Sequence, residues 1–170
     1  MKTIFVHVAV CSLLFLGLSS GQIVAQNSAV ASASVEIAKP LSINIMSELS
    51  FGNIVSSSSG GTVTFDSDGN IVLTGGLGKI NSGTNPIQAT FQISGRPETG
   101  ISIEFPQEVI LQHSDGFEMV IDNFYSDSGV NPTLDAQGKL DFMLYSTLNV
   151  NPAQESGSYE GSFPVIITYN

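Results

Sequence analysis

The chain has 170 residues, of which 42% are hydrophobic, and its 15 acidic and 5 basic side chains give a net charge of −10. Such a surface repels phosphate backbones, so nucleic acid is not an expected partner. The only cysteine is Cys11, near the N-terminus, which argues against a disulfide framework and against structural zinc held by thiolates.

The first 25 residues have the layout of a secretory signal peptide. Lys2 supplies the positive charge, Ile4–Leu18 is an apolar run, and small residues then lead to a cleavage point after Ala25. The run is shorter than the roughly twenty residues that a membrane-spanning helix needs. We therefore expect export to the periplasm, the cell surface or the medium, with no transmembrane segment in the mature chain. Residues 26–170 would form one domain with fifteen acidic and four basic side chains, a net charge of −11.

Downstream of residue 25 the sequence predicts an all-β fold. Short segments rich in β-branched and aromatic residues alternate with Gly, Asn, Asp, Ser and Pro, the pattern of a single immunoglobulin-like or pilin-like antiparallel β-sandwich of about seven to nine strands. The first predicted strand is Ala29–Ile37, whose one face is wholly apolar. Pro40 marks a bend before an inward-facing row of Leu41, Ile43 and Ile45. Leu49–Phe51 is a short element that Gly52 ends.

The middle of the chain predicts a hairpin and then a strand. Thr62–Asp66 and Asn70–Thr74 flank the turn residues Asp68-Gly69, because Gly tolerates positive φ and Asp bonds its own backbone. Gly75–Pro86 is expected to be a loop. Ile87–Ser94 then alternates, with Ile87, Ala89, Phe91 and Ile93 predicted to face the core and Gln88, Thr90, Gln92 and Ser94 to face solvent.

Further strands follow at similar spacing. Ile101, Ile103 and Phe105 form an inward row, and Val109–Gln112 pairs with Phe117–Phe124 across the turn Ser114-Asp115-Gly116. Tyr125–Pro132 is predicted to be a loop, and Lys139–Val150 a long alternating strand.

The candidates for chemistry are weak. His113 is the only histidine after residue 25, it lies beside a predicted turn, and no Gly-x-Ser-x-Gly motif accompanies it, so a surface position is the preferred interpretation. Asp66, Asp68 and Asn70 have the alternating oxygen ligands that suit calcium. An EF-hand loop would also need Gly at its sixth position and Glu at its twelfth, where this chain has Ile71 and Leu77. We therefore expect a turn there, and neither cofactor nor enzymatic activity.

The last stretch, Gly157–Asn170, is the longest uninterrupted alternation. Its predicted inner face comprises Tyr159, Gly161, Phe163, Val165, Ile167 and Tyr169. It resembles the C-terminal strand of pilus subunits exported by the chaperone–usher route, which carry a Gly fourteen residues from the end and a penultimate Tyr, the places of Gly157 and Tyr169. The resemblance implies a sandwich completed by a strand from a neighbouring subunit. Pro164 removes one ladder donor, which weakens that interpretation and predicts an edge strand.

The chain as a whole resembles the bacterial secreted family called domain of unknown function 4402. The resemblance is carried by Ala33–Ile43, Leu49–Ile54, Gly60–Val63, Ala89–Gly95, Asp122–Phe124 and Gly157–Phe163, with Tyr169-Asn170 at the end. It implies an exported β-sandwich without established activity or catalytic residues, akin to pilin-like and spore-coat-like surface subunits. One departure is Met143–Tyr145, where small Gly-rich residues are expected.

These observations favour a non-enzymatic structural or adhesive surface subunit. In the pilin-like form of this hypothesis the strand from Ala29 is donated between copies, beside the strand Gly157–Asn170. The expected partners are copies of the chain, other surface subunits or a periplasmic chaperone. The alternative is a secreted carbohydrate-binding module, for which Tyr125 and Tyr145 are the plausible exposed aromatic pair.

Overall fold

The computed structural model describes residues 27–80 and 82–170. The predicted signal peptide and its cleavage point lie outside the described residues. The chain divides into two units, Met1–Glu36 and Ile37–Asn170. In the described part, no helix is of the length and hydrophobicity that crossing a membrane requires.

The described residues form eleven strands, all in antiparallel pairs, as the all-β prediction requires. They are β1 (Ser42–Ser47), β2 (Ile54–Val55), β3 (Gly61–Phe65), β4 (Ile71–Leu73), β5 (Gly78–Lys79), β6 (Thr90–Ser94), β7 (Ile101–Glu104), β8 (Glu108–Gln112), β9 (Glu118–Ser126), β10 (Lys139–Val150) and β11 (Ile166–Tyr169). The count exceeds the predicted seven to nine partly because the two-residue strands β2 and β5 pair with each other.

Strand β10 organises the larger sheet. Its first half, Lys139–Met143, pairs with β6, and its second half pairs with β9 and with β3. Strand β1 extends the sheet beyond β6, β4 beyond β3, and β8 beyond β9, which gives seven strands in a curled sheet. The large residues at Met143–Tyr145 lie where β10 exchanges one partner for the next, and Leu144 there is fully buried.

Strands β7 and β11 form the second layer of the sandwich. Two clusters of buried side chains make up the core, one centred on Val63, Ile121 and Leu148 and the other on Ile93, Ile103 and Leu144. Alternation produces this arrangement, because every second residue of an antiparallel strand faces the covered side. Ile101 and Ile103 of β7, predicted to face inward, are buried, and so are Phe142, Leu144, Leu148 and Val150 of β10.

Both predicted hairpins are confirmed. β3 and β4 are joined by a turn in which Gly69 has φ +78°, and β8 and β9 by one in which Gly116 has φ +86°. Strand β9 continues through Ser126, so the prediction that Tyr125 begins a loop is wrong. The partner strand β10 extends the ladder, pairing Tyr145 with Tyr125.

The prediction of a strand over Ala29–Ile37 is wrong for the single chain. Residues 27–41 have no regular secondary structure. Val30, Val35 and Ile37 are 97%, 88% and 90% exposed, more than any other large hydrophobic residue described. Alternation alone does not make a strand, because the main-chain groups need a neighbour with which to form the ladder.

Three predicted side-chain orientations are also wrong. Ile45 is exposed although it keeps the regular register opposite Phe91; a β-bulge follows it, between Ile45 and Ser47, and β1 lies at the end of the sheet, with β6 as its one neighbour. Ile87 is exposed and Gln88 is buried, since β6 begins only at Thr90 and the chain before it makes an isolated bridge with Ser50. The buried Gln88 amide donates a hydrogen bond of 3.2 Å to the carbonyl oxygen of Leu144.

Candidate functional site

The C-terminal segment, Gly157–Asn170, has the alternation that its sequence predicts. Half-buried residues at odd positions (Tyr159, Phe163, Val165, Ile167 and Tyr169) alternate with exposed residues at even positions, and the odd Gly161 is exposed. Only Ile166–Tyr169 is regular strand, paired with β7. Further back, Glu160 exchanges two backbone hydrogen bonds with Gln112, at 2.9 and 3.1 Å, so the segment follows both β7 and β8.

One main-chain edge of this segment is unpaired. Ile101 and Ile103 of β7 direct their N–H groups to the carbonyls of Pro132 and Val130, so Ser102 and Glu104 face β11. Their partners are Thr168 and Ile166. In an antiparallel ladder the N–H and C=O of one residue point the same way, and successive residues point to opposite sides.

Of the even residues, Glu160 bonds to β8, Ile166 and Thr168 pair with β7, and Asn170 bonds to Gly100. The odd residues present their main-chain groups on the other side. Within the part of the chain that the structure describes, these odd backbone N–H groups have no hydrogen-bond partner. They belong to Tyr159, Gly161, Phe163, Val165, Ile167 and Tyr169. We call this row, from Tyr159 to Tyr169, the open edge. An unpaired edge with an apolar inner face is a template for strand addition.

Pro164 does not interrupt the open edge. It occupies an even position, so the donor that it lacks would point towards β7 and β8. Continuing the register of Ile166 with Glu104 by two residues places Pro164 opposite Pro106. On this register the donor that Pro164 lacks would lie on the side of β7 and β8 and not on the open edge.

Tyr169 fixes one end of the segment. Its hydroxyl donates a hydrogen bond of 2.7 Å to the carbonyl oxygen of Lys39 and accepts one of 2.7 Å from the N–H of Arg96. Gly95 permits this contact, because a Cβ at that position would lie 2.6 Å from the Tyr169 oxygen and 2.7 Å from Leu41. At this end the two layers are in close contact.

The other end opens into a cleft of about 830 Å³. Residues 49–56 form one wall and residues 154–161 form the other. The floor is apolar and consists of Leu111, Met119, Ile121, Leu148, Val150 and Phe163. The open edge and the cleft are therefore continuous, because Tyr159, Gly161 and Phe163 belong to both.

Phe163 contacts both core clusters, and its ring lies 5.2 Å from that of Phe124. Gly157 lets the chain pass over His113: it has φ +150°, and a Cβ there would overlap the imidazole ring. The ring of His113 also packs on Tyr159 at 5.2 Å, and its side chain is only 11% exposed, so the predicted surface position is wrong. Its Nδ1 accepts a hydrogen bond from the N–H of Asp115.

Asp66 closes the turn between β3 and β4. Its Oδ1 accepts hydrogen bonds from the N–H groups of Asp68, at 2.9 Å, and of Asn70, at 2.8 Å. The bond from Asn70, above all, holds the pKa of the Asp66 carboxyl below its ordinary value. This carboxylate oxygen serves the turn, as the hairpin interpretation requires. In residues 27–80 and 82–170, no group of three His, Cys, Asp or Glu side chains has the arrangement to hold a metal ion.

Tyr125 and Tyr145, the pair predicted for sugar binding, are brought together. They are cross-strand partners on β9 and β10, with ring centroids 4.9 Å apart and an interplanar angle of 9°. Tyr125 is exposed. Tyr145 is half-buried and packs against the core cluster around Val63, so Tyr125 is the exposed member of the stack.

The cleft was not predicted. Its floor residues read as ordinary inward positions of β8, β9 and β10, and nothing in their pattern shows that they lack a cover. The feature that leaves the floor uncovered is in the wall. After Leu49–Phe51 the chain forms only the two-residue strand β2, which is too short to cover the floor.

The family model for the domain of unknown function DUF4402 matches residues 41–169. A search of curated proteins found no match, and a search of solved structures found none either. The matched residues include all eleven strands, the cleft and the open edge up to Tyr169. This protein is a member of the DUF4402 family.

Proposed function

We propose that the protein is an exported, non-enzymatic structural or adhesive subunit of the cell surface, and that copies assemble by exchanging the strand-like segment Ala29–Ile37. The observation that carries the proposal is the open edge: a row of unpaired main-chain groups with an apolar inner face beside an apolar cleft. Main-chain hydrogen bonds supply affinity in strand addition, and alternate side chains supply specificity.

The donor segment has the matching properties. Ala29, Ala31, Ala33, Val35 and Ile37 share one face of an extended chain, and Val30, Val35 and Ile37 are exposed in the single copy. Burying an aliphatic side chain contributes roughly 1.5–3 kcal/mol. Covering the apolar face of this segment therefore provides a driving force for association that the single chain leaves unused.

The charge distribution supports the same assignment. The protein is strongly acidic, and Glu155 and Glu160 line the cleft. The donated segment Ala29–Ile37 carries one charged side chain, Glu36. Its first seven residues, Ala29–Val35, are uncharged and meet no charge repulsion from this acidic surface.

Light scattering coupled to size-exclusion chromatography tests the proposal. We expect oligomers for residues 26–170 and a monomer for residues 39–170. Val35→Asp, which places a charge on the apolar face, should also give a monomer. The matched control is Ser34→Asp, which adds the same charge one residue away on the polar face and should leave the oligomers in place. A monomer for residues 26–170 across the concentrations tested would contradict strand exchange.

The second candidate is a carbohydrate-binding module, which the Tyr125–Tyr145 stack favours. An exposed aromatic face is a surface on which apolar faces of ligands pack. Binding on a glycan array that is lost in Tyr125→Ala/Tyr145→Ala and kept in Phe117→Ala, an exposed aromatic elsewhere, would support this candidate. A silent array for the unaltered protein counts against it.

A further inference from the structure

We infer the direction and register of the donated strand, on the basis of the proposed function. The segment Ala29–Ile37 of a second copy lies antiparallel to the open edge. Ile37 and Val35 lie in the cleft beside Gly161 and Phe163, and the three alanines run along the edge towards Tyr169.

The shape of the acceptor determines the direction. Near Gly161 the cleft has room for bulky side chains above a floor that includes Leu111, Ile121 and Leu148. Near Tyr169 the layers are held together by the hydrogen bond from the Tyr169 hydroxyl to Lys39, with Leu41 packed close by. Large side chains fit at the first end and only small ones at the second.

The shape of the donor is graded in the same way. On its apolar face, Ala29, Ala31 and Ala33 come first, and the larger Val35 and Ile37 follow. Matching large residues to the cleft puts the end of the donor at Gly161 and its beginning at Tyr169. Because the acceptor runs from Tyr159 to Tyr169, the two strands are antiparallel.

The pairing also satisfies the main chain. With Val35 beside Phe163 and Ala29 beside Tyr169, each odd residue of the donor faces an odd residue of the open edge. Odd positions of the acceptor carry the unpaired N–H groups, so every such pair exchanges hydrogen bonds. On the outer face the register places Glu36 beside Ser162 and Val30 beside Thr168, so no two like charges are directly opposed.

Disulfide trapping tests the direction, because the only cysteine in the sequence is Cys11 and residues 26–170 contain none. Single-cysteine forms of residues 26–170 are mixed in pairs and oxidised mildly, and heterodimers are counted on a non-reducing gel. The antiparallel register predicts that Glu36→Cys links to Ser162→Cys and that Val30→Cys links to Thr168→Cys. In the swapped pairs, Glu36→Cys is mixed with Thr168→Cys and Val30→Cys with Ser162→Cys. These positions are six residues out of register, so their Cα atoms would lie roughly 20 Å apart. A disulfide needs Cα atoms within about 7 Å, so no link is expected.

Val72→Cys is the control acceptor, because Val72 is exposed on β4, an edge strand of the other sheet. Heterodimers from the two matched pairs, with loss of the band in the swapped pairs and in the Val72 pairs, support the inference. Heterodimers from the swapped pairs overturn the direction. Oligomers that trap only through Val72, or through none of these sites, overturn the acceptor while leaving strand exchange intact. Absence of both oligomers and heterodimers overturns the proposed function as well.

Discussion

The hydroxyl of Tyr169 joins the C-terminal strand to Lys39, at the point where the chain enters the sandwich, through a hydrogen bond of 2.7 Å. The same oxygen accepts the N–H of Arg96. The penultimate residue thus closes one end of the sandwich, whereas the cleft at the other end of the same segment stays open. This asymmetry between the two ends of the C-terminal segment is the basis of the proposed strand addition.

Removing that hydroxyl should destabilise the domain. In Tyr169→Phe the carbonyl of Lys39 and the N–H of Arg96 both lose a partner, and we expect a loss of about 1 kcal/mol in the free energy of unfolding, since the bonds are partly solvated. Urea denaturation measures the change. Tyr125→Phe is the control, because no hydrogen bond of its hydroxyl is present among the described residues. Equal stability of the two variants would contradict a closing role for Tyr169.

Replacing Gly157 should cost more than replacing a glycine in a free turn. Gly116→Ala imposes only the strain of a positive φ, about 1–2 kcal/mol, because nothing lies within 4 Å of the new Cβ. Gly157→Ala must in addition displace the His113 ring. We expect a larger drop in melting temperature for Gly157→Ala, part of which His113→Ala restores. If the two alanine variants melt together, His113 is not the constraint on Gly157.

Phe163 should contribute more to stability than an exposed phenylalanine. It contacts both core clusters and the ring of Phe124, so we expect Phe163→Ala to cost about 2–4 kcal/mol, at the low side of buried aromatic truncations because the side chain is half-buried. Phe117→Ala, at an exposed position, provides the comparison. Chemical denaturation of both variants measures the difference, and a cost of Phe163→Ala no greater than that of Phe117→Ala would show that Phe163 does not join the two clusters.

The Asp66 carboxyl should contribute to the fall in the free energy of unfolding at acidic pH. Its pKa in the folded protein lies below the ordinary value of 3.8, so the stabilisation is present above the unfolded pKa and is lost as the pH falls through the folded one. Asp66→Asn should therefore flatten the decline in stability below about pH 4. Urea midpoints measured from pH 2 to pH 7 check this.

Asp68→Asn is the control in that series, because the described turn bonds reach the Asp66 carboxylate and not that of Asp68. If the urea midpoints of Asp66→Asn fall with decreasing pH as steeply as those of the unaltered protein, the carboxylate of Asp66 contributes no pH-dependent stabilisation to the folded turn.

The sequence predicted those elements that depend on local pattern. β10 has the predicted bounds Lys139–Val150, and the turns at Gly69 and Gly116 follow from the need for positive φ. The predictions that failed concern features that depend on pairing with another strand. Ala29–Ile37 alternates as well as any strand here, yet without a partner it has no ladder. The inversion at Gln88 arises because pairing with β1 and β10 starts only at Thr90.

The candidate site was predicted in part for the same reason. The alternation from Tyr159 to Tyr169 identified the face that turns inward, and Gly157 and Tyr169 were singled out by position. Which side of the strand remains unpaired depends on β7, β8 and residues 130–132, and this is visible only in three dimensions. The direction in which the donor missing at Pro164 would point is likewise not visible in the sequence.

Amide hydrogen exchange along the open edge tests the central claim most directly. In assembled residues 26–170 the N–H groups of Gly161, Phe163, Val165 and Ile167 should exchange much more slowly than in the Val35→Asp monomer. Those of Ile166 and Thr168, already paired with β7, should be protected in both. Oligomers in which the odd-numbered amides exchange as fast as in the monomer would show that no strand is added at this edge.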